Sequence, residues 1–166
     1  TITTGLLAFS RVRTGEREDM DVADVVRSAA KLISHQKRGS SIEISVDMHE
    51  PINKIRGDGG QIQQAVIALA TNAIDAMPNG GKLGFYVRQD PRRVIIEVSD
   101  TGIGIPTEDL PRIFEPFFTT KEVGKGTGLG LAVCYGIVSE HSGRIGVRSS
   151  LGKGTTFTIS LPLRLP

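Results

Sequence analysis

Asp100-Thr101-Gly102-Ile103-Gly104-Ile105-Pro106 follows directly on an apolar run, Val94 to Ser99. Two glycines two residues apart free the backbone around an acid placed at a strand end. One reading is a β-turn capped by Asp100. The other is a buried carboxylate that accepts hydrogen bonds. Such a group selects adenine, whose exocyclic amino group donates, over guanine, which presents an acceptor there.

Lys82 to Gln89 and Arg93 to Ser99 read as two strands of a hairpin turning at Asp90-Pro91. Asp58 to Met77 is the longest glycine-poor amphipathic run, closed by Pro78-Asn79-Gly80-Gly81, and predicts a helix with Gly60 in its first turn. Ser41 to Met48 alternates, with Ile42, Ile44, Val46 and Met48 on one side of a half-buried strand. Asp21 to Arg38 has the helical period, with Val22, Val25, Val26, Ala29, Leu32 and Ile33 apolar and Asp21 as N-cap. Downstream, Asp100 to Lys125 is rich in Gly, Pro and Thr, with a turn near Glu108 to Ile113. Leu129 to Glu140 reads as a helix. Arg144 to Ser149 and Thr155 to Leu161 read as strands joined through Leu151-Gly152-Lys153-Gly154. This order predicts an α+β fold, a two-layer α/β sandwich with a mixed, mainly antiparallel sheet and the helices on one face.

The composition bounds the function. The chain has 166 residues, 39% hydrophobic and 23% charged, which suits one globular core and excludes a disordered tail. No stretch approaches the ~18 uninterrupted apolar residues of a membrane span. Twenty basic against 18 acidic residues give a net charge of +2, unlike the basic stripe of a nucleic-acid binder. The one cysteine, Cys134, cannot form an intrachain disulfide, and a reducing compartment is expected. Glycine stands out, at twenty residues.

Gly126-Thr127-Gly128-Leu129-Gly130 leads into a helix, where close backbone approach and free N–H groups suit a phosphate. Flexible loops are glycine-rich too, so the run alone is weak evidence. It is neither a Walker loop nor a Rossmann turn. Asn72 lies in the apolar helix run Ala70-Thr71-Asn72-Ala73-Ile74-Asp75-Ala76. Its amide oxygen suits Mg²⁺, a hard cation. A surface or hydrogen-bonded role is the commoner fate of a lone helix Asn.

Asn72-Ala73, Asp100-x-Gly-x-Gly-Ile-Pro, Phe114-Glu115-Pro116-Phe117-Phe118-Thr119-Thr120-Lys121, Gly126-Thr127-Gly128-Leu129-Gly130-Leu131 and Gly152-Lys153-Gly154-Thr155-Thr156-Phe157 occur in that order. Together they resemble the N box, glycine boxes, phenylalanine box and final Gly-x-Gly-Thr of bacterial sensor histidine kinases. The resemblance covers roughly Gly57 to Pro162, and its wording is similar to the branch that includes nitrogen-regulation kinases. It implies the Bergerat-type ATP-binding sandwich shared with gyrase, Hsp90 and MutL. It implies ATP and Mg²⁺ as cofactors, with Asn72 as metal ligand and Asp75 beside it. Asp100 would accept from the adenine amino group in a pocket shaped by Gly102, Gly104 and Ile105. Thr155 would support the adenine end. Pro106 to Thr127 would be a lid latched by Phe114, Phe117 and Phe118. Thr119, Thr120, Lys121 and Lys125 would meet the phosphates, as would the amides of Gly126, Thr127, Gly128, Leu129 and Gly130. Asn72 and Lys121 would carry catalysis.

The resemblance also implies that residues 1–15, with Leu6, Leu7 and Phe9, end a helix of a dimerisation and phosphoacceptor domain, and that 16–166 form the catalytic domain. The acceptor His is then expected upstream of Thr1, because His35, His49 and His141 lack its context and read as structural or exposed. Expected partners are that dimerisation domain, in a homodimeric parent, and a response-regulator receiver domain. Contact with nucleic acid or membrane is not expected, and the domain is expected to be cytoplasmic. Two departures stand out: Ala68 where the family usually has Asn, and Asp75 where many members have Lys. Two rivals share the fold, a serine kinase of the anti-sigma type and a nucleotide-binding pseudokinase.

Overall fold

The computed structural model describes residues 17–36, 41–118 and 129–163. The expected N-terminal helix remnant, residues 1–15, lies outside them. In chain order the elements are β1 (Glu18–Met20), α1 (Val22–Gln36), β2 (Ile42–Met48), β3 (Ile55–Gly57), α2 (Gly59–Asp75), β4 (Gly81–Gln89), β5 (Arg93–Asp100), a 3₁₀ turn (Thr107–Arg112), α3 (Gly130–Glu140), β6 (Arg144–Ser150) and β7 (Gly154–Pro162). The main sheet has the order β2-β4-β5-β7-β6. Only the β2–β4 pair is parallel; the other three are antiparallel. The sheet is therefore mixed and mainly antiparallel, as the sequence predicts.

Alternation in the strands decides which face the helices cover. Leu83, Phe85 and Val87 of β4, Val94, Ile96 and Val98 of β5, and Phe157, Ile159 and Leu161 of β7 point to one side and are buried. Lys82, Tyr86 and Arg88 point to the other and are exposed. Helices α1, α2 and α3 supply the second layer with Val26 and Ile33, Ile62 and Leu69, and Ile137, all fully buried. Each such aliphatic side chain contributes about 1.5–3 kcal/mol relative to exposure. In α1 the outer side carries Leu32, which the periodic reading placed with the core.

Local chemistry sets the helix starts. Asp21 Oδ1 accepts from the Asp24 N–H at 3.2 Å, so Asp21 caps α1. Asp58 Oδ1 accepts from the Gln61 N–H at 3.1 Å and caps α2. The hairpin closes with Asp90 N–H donating to the Arg93 carbonyl at 3.0 Å.

Two features differ from the sequence reading. β2 is an edge strand with one neighbour, and Val46 is exposed rather than half-buried. A second, two-stranded sheet pairs β1 with β3, Glu18 opposite Gly57 and Met20 opposite Ile55. It is too short to have a period, and its pairing joins segments more than thirty positions apart.

Candidate functional site

Asp100 ends β5 in the middle of the sheet, with Leu83 on one side and Thr155 on the other. It is buried, as the sharper reading of its motif requires. Its Oδ1 accepts from the Gly102 N–H at 2.8 Å and from the Thr155 N–H at 3.2 Å. Burial raises the carboxyl above its ordinary value, and these two N–H donors pull it partly back. The result is a fixed acceptor at the end of the central strand.

The loop after Asp100 is packed too tightly for side chains. A Cβ on Gly102 would run into the Ala76 carbonyl, and the Ile103 N–H donates to that same oxygen at 3.0 Å. Gly104 has φ +79, in the left-handed region, and a Cβ there would meet the Ser150 carbonyl. The Ile105 N–H donates to Ser149 Oγ at 2.8 Å, and that hydroxyl lies 2.8 Å from Thr155 Oγ1. Sequence reasoning missed Ser149. It joins the loop of Ile105 to the strand of Thr155, and no motif marked it.

Ala76 also joins this loop to the end of α2. Its N–H donates to the carbonyl of Asn72, one turn earlier, at 3.2 Å. Asn72 is half-buried, and its carboxamide makes no hydrogen bond among the described residues. Asp75, the last residue of α2, is exposed. Ala68 is half-buried against the core. The structure thus brings Asp100, Gly102, Gly104, Ile105 and Thr155 into one cluster and sets the Asn72 end of α2 against it.

The three phenylalanines sit in different surroundings. Phe114 is half-buried, 5.5 Å from the Tyr135 ring and 6.3 Å, edge-on, from Phe157. It packs on the core rim. Phe117 is exposed with φ +68, and Phe118 lies under the Arg112 guanidinium, 4.6 Å from its ring centroid. Leu129 is buried, and its carbonyl starts α3 by accepting from the Val133 N–H at 2.9 Å. Gly130 is exposed, with open space where a Cβ would stand. Thr119, Thr120, Lys121, Lys125, Gly126, Thr127 and Gly128 lie outside the described residues.

Residues 57–165 match the family described as histidine kinase-, DNA gyrase B-, and HSP90-like ATPase. The chain belongs to this ATPase family. Its expected sandwich fold and ATP-binding character follow from that membership. Sensor kinase CckA of Brucella abortus (strain 2308) is 44% identical over 95% of the chain, which spans only 18% of that relative. The catalytic domain of histidine kinase ThkA, in a nucleotide-free form, is 30% identical with a TM-score of 0.79, and the likeness covers 89% of this chain and 98% of that domain. Full-length ShkA in complex with AMPPNP is 28% identical with a TM-score of 0.86, over 99% of this chain and 36% of that one. ThkA in complex with response regulator protein TrrA is 25% identical with a TM-score of 0.81, over 98% of this chain and 47% of that one. The chain is therefore an ATPase-family domain of the kind that forms the catalytic domain of histidine kinases. Among the described residues no helix is long and apolar enough to cross a membrane.

Proposed function

We propose that this domain binds Mg·ATP and transfers its γ-phosphoryl group to a histidine of a dimerisation domain in the parent kinase, for relay to a response regulator. The observation that carries the reading is the buried Asp100 carboxylate, fixed by the Gly102 and Thr155 N–H groups at a strand end. A fixed buried acceptor pairs with the adenine amino group and meets a carbonyl in guanine. Gly102 and Gly104 let the loop fold tightly around the carboxylate, Ile105 offers the base an apolar wall, and Thr155 supports the carboxylate.

Asn72 suits Mg²⁺. Its carboxamide is half-buried and without a hydrogen bond among the described residues, and a hard cation prefers oxygen ligands. The bound ion would neutralise phosphate charge. Thr119, Thr120, Lys121, Lys125 and the amides from Gly126 to Gly130 are assigned to the phosphates, with Lys121 on the transferred group, and Asp75 to the metal's surroundings. Phe114 would anchor the lid at the core rim. Catalysis of phosphoryl transfer is mainly positioning and charge stabilisation. A histidine nitrogen forms the new bond to γ-phosphorus, the γ-phosphorus–oxygen bond to ADP breaks, and ADP leaves.

The parent protein, acting as a homodimer, is expected to label on histidine with γ-labelled ATP, giving acid-labile phosphate. Acid-stable label on serine would replace this reading with the anti-sigma type of kinase. Nucleotide binding without label would make the domain a pseudokinase module.

A further inference from the structure

His141 ends α3 and is one of three polar residues buried among those described, with Asp100 and Thr155. Both of its ring nitrogens are engaged. Nε2 lies 3.0 Å from the Asp58 backbone nitrogen, and Nδ1 lies 2.8 Å from the Ile137 carbonyl oxygen. A backbone N–H only donates, so Nε2 is the acceptor. The ring proton therefore sits on Nδ1 and donates to Ile137.

Asp58 is the cap of α2. Its side chain accepts from the Gln61 N–H and its carbonyl accepts from the Ile62 N–H, at 3.1 and 3.0 Å. Its own N–H points the other way, into the imidazole. The joint is tight: a Cβ on Gly57 would lie 2.9 Å from His141 Cδ2 and 2.9 Å from Met20 Cε. Arg17, just before β1, donates to the Glu140 carbonyl beside His141, and Arg56 donates to the Arg17 carbonyl at 3.3 Å. Three segments meet here: the chain entering β1, the start of α2 and the end of α3.

We propose that His141 is a positioning residue of the nucleotide site: in its neutral form it latches the start of the Asn72 helix to the end of α3, and protonation opens the latch. The link to nucleotide rests on the function proposed above. A proton on Nε2 would put two donors face to face and leave the Asp58 N–H without an acceptor. The charged groups facing the ring are Arg17 from the segment before β1, Asp58 from the cap of α2 and Glu140 from α3; Glu18 and Arg56, on β1 and β3, are exposed. Burial pushes the imidazole below its ordinary value and Arg17 adds to this, while the Ile137 carbonyl, Asp58 and Glu140 oppose them. The native state thus takes the proton less readily than the unfolded chain. Stability is full above the ordinary histidine range and declines as pH falls through it toward the lowered value.

The test follows the 166-residue chain by nitrogen-15 NMR and hydrogen exchange from about pH 7.5 to about pH 5, across the histidine range. AMPPNP affinity with Mg²⁺ is measured over the same range, for wild type, His141→Gln and His141→Leu. Glutamine Oε1 reaches the Nε2 position and accepts without titrating. In wild type, protection of the Asp58 and Gln61 amides should fall about tenfold on acidification, and AMPPNP affinity should fall about three- to tenfold relative to His141→Gln. The nucleotide's own titration is common to both proteins and cancels in that ratio. Protection in His141→Gln should not change with pH, and in His141→Leu it should be low throughout. The wild-type titration needs no variant to fold. Unchanged Asp58 and Gln61 protection while His141 titrates, or an affinity ratio that ignores pH, would overturn the proposal. If wild type binds no AMPPNP but the exchange pattern appears, the nucleotide reading fails and the latch stands.

Discussion

The Thr155 N–H donates to Asp100 Oδ1 across the β5–β7 pair at 3.2 Å, so the residue that ends one strand is held by a residue at the start of the other. The Gly102 N–H completes the grip at 2.8 Å. Neither bond requires a charge, because a carboxamide oxygen also accepts, though more weakly than a carboxylate. The ionised form is thus present at a cost in desolvation.

That cost makes Asp100→Asn a stability test. Burial first, against the two N–H donors, raises the folded pKa of Asp100 above 3.8. A raised carboxyl pKa stabilises the fold below the unfolded value and loses that contribution as pH rises through the folded value. At neutral pH the variant should therefore melt no lower than wild type. Its advantage should shrink as pH drops from above the raised pKa to below the ordinary one. Thermal unfolding across that range checks the sign, and a variant that melts well below wild type at neutral pH would contradict it.

Glycine positions separate into those that fill space and those that do not. Gly102→Ala drives a methyl into the Ala76 carbonyl and should cost about 1–3 kcal/mol, with loss of nucleotide binding as the loop shifts. Gly136, inside α3, has nothing within 4 Å of an added Cβ. Gly136→Ala should stabilise by about 1 kcal/mol through helix propensity. Denaturant titration of the two variants is expected to move in opposite directions.

The same contrast explains what the sequence made legible. Helix α2 could be read because its cap, Asp58, and its stop, Pro78-Asn79-Gly80, are local signals around a long apolar period. Asp100 could be read because the glycines that crowd it follow it directly. The pair β1–β3 could not, since three-residue strands have no period and their partner is distant. His141 was legible only as the end of a helix. Its acceptor role depends on a backbone N–H 83 positions away, and backbone donors carry no sequence mark. Ser149 escaped for a similar reason, as its partners include the Ile105 N–H and the Gly154 carbonyl besides the Thr155 hydroxyl.

Ala68 lies one helical turn before Asn72, on the same side of α2. On the proposed role of Asn72, an amide there would align metal and phosphates where a methyl cannot. Small misalignments cost up to about 100-fold in rate. Ala68→Asn in the parent kinase should raise single-turnover autophosphorylation several-fold, with ATP affinity nearly unchanged. An equal or lower rate would show that position 68 does not serve the phosphates.

On the proposed function, Asp100 reads adenine inside an ATP-binding site. Calorimetric titration of the chain with ATP and with GTP, both with Mg²⁺, checks this, with Asp100→Ala alongside. Losing a hydrogen bond to a charged group costs about 1.5–3 kcal/mol. Wild type should therefore bind ATP roughly ten- to a hundredfold more tightly than GTP, and Asp100→Ala should erase most of that preference. Equal affinity of the wild-type chain for the two nucleotides would rule out that role for Asp100.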